Sequence, residues 1–302
     1  MDWQNAISGF RIYLKCERAY STNTISAYLS DVHRLHTYLI NHSIEQASPK
    51  IEETHLHEFI QDLGRNSLKA SSQSRIIRGL KSFFRYLELE GLKTENLADT
   101  LEYPRLPKLI PETLSELEIN RLLKSIKLNS RFGIRNRAIV ETLYACGLRA
   151  SELCNFKLSN YKPHRKFIRV TGKGDKERDI PIGGSAIHWI NKYITVDRNH
   201  RKIILKGHED ITFLNARGRR LNRSYVGELV RKTTLESRLN KSVSPHIFRH
   251  SFATHLIQGG APLHAVKDML GHEAITSTER YVSVDIEDLR DTLKVYHPRF
   301  KI

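Results

Sequence analysis

The spacing of apolar positions predicts helices in the first hundred residues. Between Ser21 and His42, apolar side chains recur three and four residues apart, after a Ser-Thr-Asn stretch suited to helix capping. A second stretch with this period, Ser71 to Leu89, carries its apolar face on Ile76, Ile77, Leu80, Phe83, Phe84 and Leu87. Its other side carries cations that could meet phosphate groups: Arg75, Arg78, Lys81 and Arg85.

A proline-bearing segment separates two regions of different pattern. Residues 1–102 show helical periods without a convincing strand, which predicts a small all-helical domain. The following YPRLPKLIP contains Pro104, Pro107 and Pro111 and cannot continue a helix. We therefore predict a linker at residues 103–112 and a second domain over residues 113–302.

The second domain mixes helices with one predicted β-hairpin. Ser115 and Glu118 have capping-box spacing before a helix, and another helix is predicted from about residue 134 to 146, ending at Gly147. Short strands at 167–170 and 178–182 flank the turn TGKGD. Further helices are predicted at 185–197, 223–237, 245–258 and 262–270. The fold class is mainly α, in two domains, with a small antiparallel β-hairpin or sheet in the second.

Charge is distributed unevenly along the 302 residues. Lys and Arg total 49 against 33 Asp and Glu, for a formal net charge of +16. Residues 1–100 are balanced, with 12 basic and 12 acidic side chains, so the whole excess lies beyond them. A field of this sign attracts polyanions, and nucleic acid is the expected partner, although charge alone does not separate DNA from RNA.

Cysteine usage and hydropathy bear on the compartment. The three cysteines lack paired spacing and stand among apolar neighbours, so we predict buried free thiols in a reducing environment. No stretch approaches the roughly 20 apolar residues that span a bilayer, and the start of the chain does not resemble a signal peptide. These patterns predict a cytoplasmic protein without membrane insertion.

Four separated segments hold side chains suited to attack on a phosphodiester. They are Leu148-Arg149 after a helix, the turn with Lys173, a helix start with His246 and Arg249, and Leu270-Gly271-His272 followed by Tyr281. Each has an ordinary explanation when taken alone. An arginine can bond carbonyls at a helix end, a lysine in a glycine-rich turn is usually solvated, and a tyrosine is usually half-buried. Their joint order along the chain changes the interpretation.

The sequence resembles the tyrosine recombinase family, and within it the bacterial Xer recombinases. The resemblance rests on YACGLRASEL at 144–153, TGKGDKER at 171–178, HIFRHSFATHL at 246–256 and LGHEAITSTERY at 270–281. It covers nearly the whole chain, and its C-terminal motifs are the specific part. One departure is Val282-Ser283, where many Xer sequences carry Thr-His, and this weakens the subfamily placement only.

The resemblance implies a six-residue pocket and assigns a position to each member. The implied set is Arg149, Lys173, His246, Arg249 and His272, with Tyr281 as the nucleophile that forms a 3′-phosphotyrosyl link to DNA. Arginines suit this chemistry because a planar, permanently charged fork can hold phosphate oxygens where negative charge develops. A tyrosine hydroxyl needs a base, which His246 or His272 could supply, and Lys173 could donate a proton to the leaving oxygen.

The same chemistry sets expectations for cofactors and partners. The phosphotyrosyl ester conserves the energy for rejoining, so no nucleotide cofactor is expected, and no acidic cluster or Cys/His spacing marks a metal site. The expected partner is double-stranded DNA with a specific recombination site, gripped by a two-domain clamp. The resemblance further implies four subunits on DNA, as a homotetramer or with a paralogous recombinase, and control by a septal DNA translocase.

Several functions remain open at this level. The compact length favours a recombinase that resolves chromosome or plasmid dimers, while an integrase or transposase of a mobile element uses the same pocket. A type IB topoisomerase-like enzyme shares the tyrosine chemistry but needs no paired sites. A DNA-binding accessory protein that does not cut is the alternative without enzyme activity. The tail after residue 285 could pack on its own domain or on a neighbouring subunit.

Overall fold

The chain forms two compact units, Met1–Leu109 and Ile110–Ile302. The computed structural model describes residues 3–44, 51–105, 112–271 and 286–300, and of Lys173 the backbone. Both units are helical and the second contains a small antiparallel sheet, which confirms the predicted fold class. The predicted linker lies partly outside the described residues, so its limits at 103 and 112 stay a prediction.

The described part of the first unit contains four helices. Their bounds are α1 Trp3–Cys16, α2 Thr22–Asn41, α3 Glu53–Arg65 and α4 Ala70–Leu89. The predicted capping of α2 is confirmed, because the Thr24 N–H donates to Ser21 Oγ at 3.3 Å. The sequence pattern did not assign α1 and α3.

The core of the first unit is apolar and rich in aromatic rings. The ring of Phe83 lies 5.7 Å from that of Trp3 and 5.1 Å from that of Phe10, measured between centroids. Helices α2 and α4 approach closely at Gly79, where an added Cβ would lie 2.9 Å from Asp31 Oδ2. Dispersion and apolar burial therefore hold this unit together, with Asp31 as a buried exception.

The second unit alternates helices with a short sheet. Its elements are α5 Glu116–Ser125, α6 Gly133–Ala145, α7 Ala150–Asn155, β1 Tyr161–Lys162, β2 Phe167–Thr171, β3 Glu177–Pro181, α8 Gly184–Val196, α9 Arg223–Glu236, α10 Pro245–Gln258, α11 Leu263–Leu270 and α12 Ile286–Tyr296. The Ser115 and Glu118 capping box is present, with both reciprocal hydrogen bonds formed. The other predicted helices of this domain are found within one or two residues of their expected bounds.

The sheet has three strands in the order β1-β2-β3, all antiparallel. In β2 and β3, Phe167 pairs with Pro181 and Thr171 with Glu177, so the predicted hairpin is confirmed. The two-residue β1 was not predicted. The turn runs through a short 3₁₀ segment, Lys173–Asp175, in which Gly174 takes a positive φ of 70°.

The C-terminal segment packs on its own unit. Leu289 and Leu293 of α12 are buried in the core of the second unit. Beyond α12, the Arg299 guanidinium is ion-paired with the buried Glu141 carboxylate and donates to Asn120 Oδ1 at 2.7 Å. In this single chain the tail is therefore docked on its own domain.

One prediction about the cysteines is wrong. Cys146 and Cys154 are buried, as expected, but Cys16 is exposed. Cys16 is the last residue of α1, and its apolar sequence neighbours point elsewhere because successive helical residues lie about 100° apart around the axis. Among the described helices, none has both the length and the apolar content needed to cross a bilayer.

Candidate active site

Arg149 stands where the chain leaves α6 and enters α7. The turn needs Gly147, which has a positive φ of 57° and where an added Cβ would lie 2.6 Å from Phe252. The backbone N–H of Arg149 donates to Glu152 Oε2 at 2.8 Å, and its Nη1 donates to Glu152 Oε1 at 2.8 Å. Its Nη2 lies 3.4 Å from the carbonyl oxygen of Gly271. The guanidinium is half-exposed and so can be reached from solvent.

Arg249 approaches the same place from α10 and is only 4% exposed. Its Nη1 donates to the Gly147 carbonyl at 2.8 Å, and its Nη2 donates to the Leu270 carbonyl. Burial and the nearby Arg149 cation lower the pKa of Arg249 to about 10, while Glu152 opposes the shift. The guanidinium therefore stays charged at neutral pH. Since a guanidinium has five N–H donors, donors remain beyond the two used here.

Glu152 is the carboxylate that links the two arginines, and sequence reasoning missed it. It is 3% exposed, and besides Arg149 it accepts hydrogen bonds from Arg178 of β3. Arg249 Nη1 lies 3.9 Å from Glu152 Oε2. Burial acts to raise the pKa of Glu152, but the hydrogen bonds and charge of Arg178 and the hydrogen bonds from Arg149 outweigh it and lower the pKa below its ordinary value. One buried anion thus stands among three cations.

Lys173 is placed by the hairpin turn between β2 and β3. The preceding Gly172 borders the carboxylate, since an added Cβ there would lie 3.9 Å from Glu152 Oε1. The turn is closed by the Gly172 N–H, which donates to the Lys176 carbonyl at 2.8 Å. The hairpin therefore brings the backbone of the Lys173 turn to the edge of the arginine pair.

His246 lies in the first turn of α10, after Pro245 at its first position. It is exposed, whereas Arg249, three residues later, is buried. A spacing of three places both on neighbouring parts of the helix surface. His246 is therefore exposed at the N-terminal end of α10, the helix that carries the buried Arg249.

His272 and Tyr281 lie outside the described residues. The chain immediately before His272 is described, and both site arginines bond to it. Arg249 donates to the carbonyl of Leu270, and Arg149 lies within 3.4 Å of the carbonyl of Gly271. The assignment of these two residues to the site stays a prediction.

The four cations predicted to contact DNA from α4 differ in their surroundings. Arg75 Nη1 donates to the buried Asp31 at 2.7 Å, and Arg85 pairs with Glu88 at 2.7 Å. Lys81 donates to the backbone carbonyl of Asp99 at 3.0 Å. Arg78 is exposed and has no hydrogen-bond or ion-pair partner among the described residues. DNA contact by this helix stays a prediction, with Arg78 the most available of the four.

Metal binding has no visible candidate in the described part of the chain, where no group of three or more His, Cys, Asp or Glu side chains is placed to hold an ion. Among the described side chains, the positive charge around Glu152 comes from the guanidinium groups of Arg149, Arg178 and Arg249. The expected independence from metal and cofactor stays a prediction.

Family models match both parts of the chain. Residues 112–287 match the phage integrase family, and residues 7–91 match the phage integrase N-terminal SAM-like domain. The first of these regions contains all six residues proposed for the pocket. The chain belongs to the phage integrase family.

Curated relatives in the phage integrase family match almost end to end. The chain is 37% identical to a tyrosine recombinase XerD of Oceanobacillus iheyensis, covering 97% of this chain and 98% of the relative. It is also 37% identical to a tyrosine recombinase XerD of Chlorobaculum tepidum, covering 98% and 97%. The predicted family is thereby confirmed, and the chain is a site-specific tyrosine recombinase of the Xer type.

Solved structures of an integrase and of a site-specific recombinase share the fold. A lambda integrase fragment, crystallised as a dimer bound to a core site, has a TM-score of 0.70 at 17% identity, covering 94% of this chain and 100% of the fragment. The XerH recombinase bound to its difH substrate has a TM-score of 0.67 at 22% identity, covering 89% and 79%. At these identities the likeness concerns the fold.

Proposed function

We propose that this recombinase cleaves duplex DNA by attack of Tyr281 on a phosphodiester held by Arg149 and Arg249. The observation that carries the proposal is the convergence of the two guanidiniums on one buried carboxylate and on adjacent carbonyls just before His272. Cations fixed before the substrate arrives cost no reorganisation when negative charge develops on the phosphate oxygens. The unused N–H donors of both arginines are available for those oxygens.

The proposed reaction exchanges one phosphodiester for another. The Tyr281 oxygen forms a bond to phosphorus, the bond to the 5′ oxygen breaks, and the tyrosine is left joined to the 3′-phosphate. The phenolic proton goes to His246 or His272, and the leaving 5′ oxygen takes a proton from Lys173. Attack of a 5′-hydroxyl on the phosphotyrosyl ester reverses these steps, so no external energy source is needed.

The proposed substrate is a specific site in double-stranded DNA, recombined by a tetramer. The second unit carries the positive excess of the chain, which suits contact with the phosphate backbone. Related proteins have been crystallised on DNA, including a lambda integrase tetramer bound to a Holliday junction. We propose resolution of chromosome or plasmid dimers in the cytoplasm, by this chain alone or with a paralogous recombinase. Control by a septal DNA translocase is part of the same proposal.

A covalent-trapping experiment tests the nucleophile. Wild type, Tyr281→Phe and the matched control Tyr296→Phe are incubated in chelator with a nicked suicide duplex that carries a candidate dimer-resolution site. We expect a denaturant-resistant protein–DNA adduct with wild type and with Tyr296→Phe, but none with Tyr281→Phe. An adduct of equal yield with Tyr281→Phe would show that another residue is the nucleophile. Dependence of the wild-type adduct on added Mg²⁺ would overturn the metal-independent mechanism.

A further inference from the structure

Arg178 lies in β3, immediately beyond the hairpin turn of Lys173, and the proposed reaction gives it no role. Its side chain is only 13% exposed. In the sequence it belongs to the charged run KGDKERD, which has the composition of a solvated turn. The structure instead directs this side chain inward, to the centre of the arginine pair.

All three guanidinium nitrogens of Arg178 have partners on other elements. Nη1 donates to Glu152 Oε1 at 2.9 Å, and Nη2 donates to Glu152 Oε2 at 3.0 Å. Nε donates to the carbonyl of Met269, near the end of α11, at 2.8 Å. One planar group therefore connects β3, α7 and α11, and a lysine ammonium cannot reproduce the paired bonds in this geometry.

Two glycines leave room for this guanidinium. A Cβ added at Gly271 would lie 3.1 Å from Arg178 Nη1, and one added at Gly172 would lie 3.3 Å from the same atom. Gly271 also has a positive φ of 61°, which ends α11 in the left-handed conformation. The backbone on both sides is thus shaped closely around Arg178.

The effect of Arg178 passes through Glu152. That carboxylate holds the backbone N–H and Nη1 of Arg149, and it lies 3.9 Å from Nη1 of Arg249. When Arg178 is present, its guanidinium compensates the negative charge of the Glu152 carboxylate. Without Arg178, the arginines left near the buried anion among the described residues are Arg149 and Arg249, which are proposed to hold the phosphate, and compensating the anion draws their charge away from that phosphate.

We propose that Arg178 is a positioning residue that, through Glu152, keeps Arg149 and Arg249 directed at the scissile phosphate. The inference rests on the proposed function, because it concerns the same pocket. In this proposal the hairpin has two roles, because its turn carries Lys173 and its second strand, β3, carries Arg178, which positions Arg149 and Arg249. Arg178 itself need not contact DNA.

Kinetic assays can separate this role from general stabilisation. The variants are Arg178→Gln, Arg178→Lys and the control Arg169→Gln, which breaks an exposed pair with Asp179 (2.7 and 2.9 Å) on the same hairpin. Single-turnover adduct formation is measured on the nicked suicide duplex, with either a phosphodiester or a methylphosphonate at the scissile position. The methylphosphonate replaces one charged oxygen with a methyl group and so requires less positive charge from the arginines.

We expect Arg178→Gln to slow cleavage of the phosphodiester about 10- to 100-fold, the range typical of groups that orient others. The deficit should shrink on the methylphosphonate, Arg178→Lys should be intermediate, and Arg169→Gln should stay within about twofold of wild type. A rate for Arg178→Gln equal to that of Arg169→Gln overturns the proposal. So does an equal loss on both DNAs, which indicates a structural defect. If Arg178→Gln does not fold, Arg178→Lys decides by the same criteria.

A second measurement needs no DNA. With ¹³C-labelled glutamate, the Glu152 carboxyl signal is assigned by its loss in Glu152→Gln and titrated in the free protein. Because the hydrogen bonds from Arg178 lower the pKa of Glu152, we expect that pKa to rise in Arg178→Gln and not in Arg169→Gln. An unchanged titration overturns the positioning role. Absence of any adduct with wild type contradicts the proposed function instead, and the titration still decides the role of Arg178.

Discussion

The described parts of the two units differ in how many charged side chains they bury. Among the described residues, the first unit buries one charged side chain, Asp31, within an apolar and aromatic core. The second unit buries several arginines and glutamates: Arg135, Glu141, Glu152, Arg198 and Arg249. The three arginines donate to backbone carbonyls, and the two glutamates accept hydrogen bonds from other arginines. Buried charges are expensive and seldom increase stability over an apolar core. In the second unit, charged groups are therefore held in fixed positions although their burial costs stability.

The contrast fits a division of labour between the units. A helical module that contacts DNA through its surface can be held by apolar packing, because exposed cations adjust to phosphates when they meet them. A pocket that stabilises developing charge needs cations fixed in advance. The comparison can be tested by making equivalent changes in both units.

The largest expected effect on stability comes from the ion pair that anchors the tail. Arg299→Met leaves Glu141, which is fully buried, without its main partner, and should lower the free energy of unfolding by about 3 to 5 kcal/mol. The equivalent Arg75→Met should cost less, because the Arg75 side chain is 44% exposed.

The two tryptophans allow each unit to be followed separately during urea unfolding. Trp3 lies in the first unit and Trp189 in the second, so Trp3→Phe and Trp189→Phe backgrounds report one unit each. Equal losses in the free energy of unfolding for Arg299→Met and Arg75→Met would show that the two units do not differ in the cost of unpairing a buried carboxylate. As a control, Arg299→Met combined with Glu141→Met should recover part of the loss, since the buried carboxylate is then removed. The recovery should be incomplete, because Arg137, whose Nε lies 3.4 Å from Glu141 Oε2, also loses its ion-pair partner.

The largest expected effect on activity comes from the same conservative change made in each unit. Arg149 and Arg75 both pair with a buried carboxylate, but only Arg149 is proposed to hold the scissile phosphate. Arg149→Lys should slow adduct formation about 10²- to 10³-fold, because an ammonium lacks the planar fork. Arg75→Lys should change the rate less than about threefold, judged by the small worth of partly exposed pairs. Comparable losses in single-turnover assays would contradict the proposed division of labour.

The smallest expected effect is an opposite dependence of stability on pH. Burial raises the pKa of Asp31 despite Arg75, so its contribution to stability is present below the unfolded pKa of about 3.9 and is lost as pH rises through the folded value. The pKa of Glu152 is lowered, so its contribution is present above about 4.3 and is lost as pH falls.

Neutral replacements of Asp31 and Glu152 test these two opposite dependences of stability on pH. Relative to wild type, Asp31→Asn should gain stability as pH rises from 3 to 7, whereas the deficit of Glu152→Gln should grow over the same range. Urea unfolding at several pH values, followed by the tryptophan of each unit, measures both trends. Trends of the same sign would show that burial of charge has the same consequence in both units.

Much of the fold followed from local patterns in the sequence. The caps at Ser21 and Ser115 and the glycine-rich hairpin turn are set by neighbouring residues, and their signals were sufficient. The two-residue β1 is too short to show alternation, and the six-residue α7 is too short to show a helical period. The exposure of Cys16 was missed because apolar sequence neighbours do not identify the buried face of a helix.

The site was predictable only in part, for a related reason. The arginines could be named from motifs, but the role of Glu152 depends on strands and helices that are distant in sequence. Arg178 lies in the motif TGKGDKER, but its charged sequence neighbours do not indicate that its side chain points inward. The roles of Glu152 and Arg178 can therefore be identified only from the folded structure, in which these distant parts of the sequence lie together.

The anchored tail has a kinetic consequence for the proposed nucleophile. The chain that carries Tyr281 is attached to the second unit at both ends, by α11 before it and by α12 after it. A reactant tethered by a short chain acts at an effective concentration in the range of about millimolar, which falls as the tether lengthens. Residues inserted between Tyr281 and α12 should therefore lower the effective concentration of the hydroxyl at the phosphate while leaving the sequence from Arg149 to His272 unchanged.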